Sequence, residues 1–293
     1  MYLPLLLTGF LLIAIGLRAE KGAEDALVGS DLLSEPLIGP LEEFAKKSEI
    51  ELSLDFIGSL PAINALHDGD ATIGLIAIPQ GDPLPEDRLR LIPFAYQVAF
   101  VLFNANNPLS ELSIPELARI YALNASPHID RWGQLDAGGA LMTRTVQPFI
   151  SSPQGSVVTE LFKSEALSSR SIGSSVAMLT SSSELIDLIS ADLGAIGVSN
   201  RPASGSETKS ISISTGEAGS FAFGPTPENI YYGDYPLRLP FYIAVPTGDL
   251  PKQREIIAFL LSDEVASVLE KAGFVPLSEN VRKRTLLGLD IGE

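Results

Sequence analysis

From residue 26 onward, short apolar runs alternate with amphipathic stretches, and their order predicts the fold. Ala26-Leu27-Val28 reads as a strand, and Gly29-Ser30-Asp31 behind it as a helix-start signal. Leu32, Leu33, Leu37, Leu41 and Phe44 then recur at mostly three- and four-residue spacing, which places them on one helical face. Glu51–Ile57 alternates as a strand does. Gly58-Ser59 starts a second helix, Leu60–Leu66, ending near His67-Asp68-Gly69. Thr72–Ile78 is apolar on both faces, as a buried parallel strand is. Strand, helix, strand, helix, strand in succession predicts a parallel α/β layer.

The pattern changes at Arg90–Asn104, a long and nearly unbroken apolar run with no turn residue after Pro93. Such a run suits a strand pair or a connection between two lobes. Helical patterns follow at Ile114–Leu123, Gly155–Ser164, Ser174–Leu179 and Glu184–Ser190, with strands at Val146–Ile150, Leu193–Val198 and Ser210–Ser214. Pro202–Pro227, rich in Ser, Gly and Thr, is expected to be loop-dominated. Leu237–Val245 is a second long apolar strand, followed by helices at Lys252–Leu261 and Asp263–Lys271 and by Gly273-Phe274-Val275-Pro276-Leu277. Two apolar connections, near residues 97 and 240, argue for one lobe inserted into another. The expected lobes are 26–97 with 240–293, and 98–239.

Composition narrows the functions. The formal charge of −16 repels nucleic acid and anionic lipid, so neither is an expected partner. With no cysteine, thiol catalysis and zinc–thiolate sites are excluded. His67 and His128 stand apart from each other, with no metal-ligand spacing. No P-loop or dinucleotide fingerprint is present, and no cofactor is expected. The serine-rich stretch Ser164–Ser183 invites a nucleophile reading but lacks a G-x-S-x-G elbow. Enzyme chemistry is not expected. At the N-terminus, Leu3–Leu17 is an apolar run shorter than the roughly 20 residues that span a bilayer. It reads as a secretory segment over residues 1–19, cleaved after Ala19 or Ala23, with retention as an anchor the alternative, since no Lys or Arg precedes it. Export to the periplasm follows as the expected location.

Several segments together resemble the phosphate-binding protein family of ABC importers. These are Leu27-Val28-Gly29-Ser30, Phe56-Ile57-Gly58-Ser59, Leu66–Leu75, Asn107-Pro108-Leu109-Ser110 with Ile114–Tyr121 and Trp132, Gln154-Gly155-Ser156 with Phe162, Gly194–Gly197, and Gly273–Leu277. The resemblance covers roughly residues 26–280. It implies an α/β two-lobe periplasmic binding protein fold with two crossing hinge strands, a small anion such as phosphate as ligand, and an ABC permease as partner. A monomer is expected. The implied ligand contacts are Gly29, Ser30, Asp31, Gly58, Ser59, Gln154, Gly155 and Ser156. A helix start supports that role physically, since it carries unpaired N–H donors and a partial positive charge. Each Gly-Ser pair could equally be a plain helix cap, and Asp31 could cap or line the cleft.

The departures from the family's pattern bear on the ligand. The family's Arg, four residues before the Ser of its Ser-Gly-Thr segment, corresponds here to Ile150, and its cleft Asp to Ala77. Gln154 and Ser156 stand for the Ser and Thr. Arg144 could swing in as a substitute, or lie on the surface. Trp132 reads as a packing residue, and Tyr96 and Gln97 lie at the expected crossing. The loss of charged contacts leaves a second expectation open: a periplasmic sensor or accessory protein of the same fold that no longer binds phosphate.

Overall fold

The computed structural model describes residues 25–154 and 156–291, with side chains through residue 289; the expected secretory segment lies outside them. The first sheet opens with the βαβαβ unit that the apolar pattern predicts. Strands β1 (Asp25–Gly29), β2 (Leu52–Asp55) and β3 (Ile73–Ala77) run parallel, with β1 between the other two. Helices α1 (Ser34–Lys47) and α2 (Ser59–Asp68) connect them. Successive side chains of a strand face opposite sides, so Leu27 and Val28 enter different apolar clusters. Leu27 packs with Leu33, Leu37 and Leu41, while Val28 packs with Ala62 and Leu66 of α2. One face of each helix is thereby buried, as the three- and four-residue spacing requires.

Beyond β3 the sheet becomes antiparallel. Strand β12 (Arg238–Pro246) pairs with β3 on one side and with β4 (Leu89–Val98) on the other, and β13 (Val275–Pro276) closes the edge. The order is β13-β4-β12-β3-β1-β2. Helices α7 (Arg254–Leu260) and α8 (Asp263–Lys271) follow β12, and the Ser262 hydroxyl caps α8 by accepting from the Val265 N–H at 3.2 Å.

The second sheet has the order β10-β5-β9-β7-β8. Its strands are β5 (Phe100–Asn104), β7 (Gln147–Ser151), β8 (Ala177–Leu179), β9 (Ala195–Ser199) and β10 (Thr208–Ser210). A small parallel pair, β6 (Glu111–Ser113) with β11 (Ser212–Ser214), lies apart from both sheets. Helix α3 (Ile114–Tyr121) starts on a capping box in which Ser113 and Glu116 bond reciprocally. Helices α4 (Val158–Leu167), α5 (Ser182–Ala191) and α6 (Pro227–Tyr232) complete this half of the molecule.

The long apolar run predicted over Arg90–Asn104 breaks at Ala99, leaving β4 in the first sheet and β5 in the second. The returning chain crosses beside it. The Ala99 N–H donates to the Leu237 carbonyl at 2.9 Å, and the Ala99 carbonyl accepts from the Tyr235 hydroxyl at 2.9 Å. Tyr235 is fully buried, and burial pushes its phenol above the ordinary tyrosine range. Ala99 therefore extends the lacing of the two crossings past the end of the β4–β12 pairing, at the residue where the run breaks. Tyr235→Phe removes that bond and leaves a buried carbonyl unpaired. A loss of about 1–2 kcal/mol in urea unfolding is expected, and an unchanged midpoint would show that Tyr235 does not hold the crossing.

Several expectations are corrected. Ser174–Leu179 is not helical: Ala177–Leu179 forms edge strand β8, held by parallel pairing to Phe149–Ser151. The helix expected from Gly155 begins at Val158. Ser210–Ser214 is two strands, because β10 pairs with β5 while β11 pairs with β6. The loop expected over Pro202–Pro227 contains both of them. A ninth helix, α9 (Glu279–Ile291), follows β13 where the apolar spacing shows no clear face.

Candidate functional site

The two sheets and their helices bound a cleft of about 1100 Å³. Its first wall comes from the 3₁₀ turn ahead of α1 (Leu32), from α1 itself (Glu35, Pro36) and from the end of α8 (Val268, Lys271, Ala272). The opposite wall comes from the turn before α4, the start of α5, and the chain just after β9. Among the residues lining it, Arg201 and Lys271 are cationic and Glu35 is the single carboxylate. The cleft therefore carries a local positive excess on a chain whose formal charge is −16. That is the arrangement an anion needs to enter against the long-range field.

A chain of hydrogen bonds organises the second wall. The Ser151 and Ser182 hydroxyls lie 2.8 Å apart, and the Ser182 hydroxyl donates to Asn200 Oδ1 at 2.8 Å. Ser151 is fully buried at the end of β7, and Asn200 nearly so just beyond β9. The network ties both strand ends to the first turn of α5. Ser181 caps that helix by accepting from the Glu184 N–H at 3.4 Å. Arg201 reaches across the cleft, its guanidinium donating to the carbonyls of Glu270 (2.7 Å) and Lys271. Those carbonyls belong to the last turn of α8, where unpaired acceptors and the helix dipole favour a cation.

Gln154 and Ser156 line this cleft; Gly155 lies outside the described residues. The Ser156 N–H donates to the Pro153 carbonyl at 3.1 Å, and its hydroxyl accepts from the Val158 N–H at 3.2 Å. Gly29, Ser30, Asp31, Gly58 and Ser59 do not line it. They lie at the strand ends of the first sheet, bonded mostly to one another and to β3. The Ser30 N–H donates to the Leu75 carbonyl (2.8 Å), the Gly58 N–H to the Gly29 carbonyl (2.9 Å), and the Ala77 N–H to the Ser59 hydroxyl (2.9 Å). Asp31 is exposed and opens a short 3₁₀ turn ahead of α1. The N–H donors of Ser30 and Gly58, expected to meet a ligand, are engaged within the sheet.

Ile150 is fully buried between β8 and β9, so the position carries core packing and no charge. Arg144 does not replace it; its guanidinium pairs with Asp192 at 2.7 Å, outside the cleft. Trp132 is fully buried, as its packing role requires. Both His67 and His128 are exposed. Gln97 is buried on β4 with its Oε1 unpartnered among the described residues, and Tyr96 stacks beneath Arg238 at 5.3 Å. Sequence reasoning missed Ser181, Ser182, Asn200 and Arg201. Ser181 three residues before Glu184 is a helix-start signal, but nothing local distinguishes Arg201 from any surface arginine.

Two α/β lobes joined by paired crossings, with a cleft between them, define the two-lobe periplasmic binding protein fold. The family model described as a PBP superfamily domain matches residues 23–264, and the chain belongs to that superfamily. Solved structures agree on the fold. A possible phosphate binding protein from Planctomyces limnophilus superposes with a TM-score of 0.66 at 20% identity, over 92% of this chain and 98% of that one. PstS from Borrelia burgdorferi gives 0.63 at 19% identity, over 87% and 98%. An ABC-type phosphate transport receptor from Vibrio cholerae gives 0.58 at 19%, over 86% and 99%. No curated protein matches the chain.

Proposed function

We propose that this chain is an exported solute-binding protein of the phosphate or oxyanion class that delivers its ligand to the permease of an ABC importer. The observation that carries the reading is the cleft, walled by both halves of the chain and lined on one side by serine hydroxyls and the starts of α4 and α5. The proposed lobes are residues 26–97 with 240–293, and 98–239. Closing them brings donors from both sides onto one solute and excludes water, so binding and conformation are coupled. The similar structures, a phosphate transport receptor among them, support the ligand class and the transport role. The chain acts as a monomer and binds without catalysis. Residues 1–19 direct it to the periplasm.

A calorimetric titration of phosphate into the purified protein, with sulfate as control, tests this reading. Micromolar binding is expected, accompanied by a smaller radius of gyration in solution scattering as the lobes close. Ser156→Ala should weaken it by about tenfold, one hydroxyl's share of a polar site. No heat at millimolar phosphate or sulfate would sink the oxyanion reading. The buried Ile150 then favours the second reading, a periplasmic sensor or accessory protein that recognises another protein through the same fold.

A further inference from the structure

We propose that Arg201 and Asn200 form the anion contact of the cleft, in place of the charge that Ile150 does not supply; the inference rests on the oxyanion-binding reading above. Arg201 enters the cleft directly after β9, and its charge meets carbonyl dipoles only. Among the described residues no carboxylate pairs with it. Two of its N–H groups bond the end of α8, and the remaining donors of the guanidinium fork meet no acceptor among the described residues. An Arg so held is positioned and still has donors for a bidentate contact with an oxyanion.

Asn200 supplies the independent observation. It is 6% exposed and lines the cleft, and its Oδ1 is fixed by the Ser182 hydroxyl. That bond leaves the amide nitrogen as the free end. Nδ2 donates to no protein group among the described residues and is open to solvent at the cleft, so it is free to meet a ligand. It faces Gly273 of the first lobe, where a Cβ would sit 2.7 Å from it. Gly273 has φ +90°, so the turn after α8 both requires glycine and leaves Nδ2 uncovered. The start of α5 lies on the same wall, capped by Ser181 and bonded to Asn200 through Ser182. A guanidinium, an unpartnered amide N–H and a helix start converge on one cleft wall. Their common complement is a tetrahedral oxyanion or a carboxylate.

The test is calorimetry of phosphate, sulfate and phenyl phosphate against wild type, Arg201→Gln, Arg201→Lys and Asn200→Asp. Asn200→Asp keeps the acceptor for Ser182 and replaces the amide donor with a carboxylate that repels a bound anion. For whichever anion binds wild type, Arg201→Gln and Asn200→Asp should each weaken binding by at least about tenfold, while circular dichroism and a cooperative unfolding transition show each variant folded. Arg201→Lys should recover part of the loss, because it keeps the charge without the fork. Wild-type affinity in both Arg201→Gln and Asn200→Asp would overturn the inference and leave the oxyanion reading standing. Absence of heat from wild type with all three anions would overturn both.

Discussion

Trp132→Ala should destabilise the protein by about 3–5 kcal/mol, the usual cost of removing a large aromatic side chain from a packed core. Trp132 is fully buried, with its ring edge-on to Phe103 of β5 at 5.1 Å between centroids. Its indole N–H donates to the Gly194 carbonyl at 3.0 Å, just ahead of β9. One side chain thus joins the segment before β7 to two strands of the second sheet. The alanine variant loses the apolar contact and one of the two donors on the Gly194 carbonyl, which keeps the Gln147 N–H at 2.9 Å. Trp132→Phe retains most of the contact and loses only the bond, so its cost should be smaller. Urea unfolding followed by circular dichroism measures both. A loss under about 1 kcal/mol for alanine would mean that the indole does not hold the sheet together.

The second large effect is expected at Gly58. Its φ of +114° and ψ of 160° lie in a region that essentially only glycine adopts. Sterics outside the backbone play little part, because a Cβ there would meet Pro61 Cδ at 3.6 Å, an ordinary contact. Gly58→Ala should therefore cost about 1–3 kcal/mol through backbone strain alone. Relaxing the strain would turn the Gly58 N–H away from the Gly29 carbonyl and unlace the ends of β1 and β2. Thermal unfolding reads this as a lowered midpoint. A variant as stable as wild type would show that the turn tolerates another backbone path.

The first sheet was the most legible part of the chain, because its signals are local. Leu27, Leu33, Leu37 and Leu41 repeat at spacings that belong to a strand and a helix whatever surrounds them. The serine at position 59 opens α2 as its position after a glycine predicts. Ser174–Leu179 was misread because three residues are too few to carry a period, and pairing with β7 decided their conformation. The site was harder for the same reason. Ser30 and Ser59 sit at helix starts, where a ligand contact and an internal bond look identical in sequence. Leu75 and Ala77 of β3, distant in the chain, supply the internal bonds to the Ser30 N–H and the Ser59 hydroxyl.

The sequence by itself determined the element order of the first sheet, the presence of two long apolar crossings and the absence of thiol chemistry. These follow from periodicity and composition, which depend on neighbours a few residues away. Only the tertiary structure decided where the long run breaks, since Ala99 is marked by Tyr235 and Leu237, more than a hundred residues further along the chain. It alone brought Arg201 to the end of α8 and Asn200 over Gly273. Such contacts cross from one lobe to the other, and no local pattern encodes the distance between lobes.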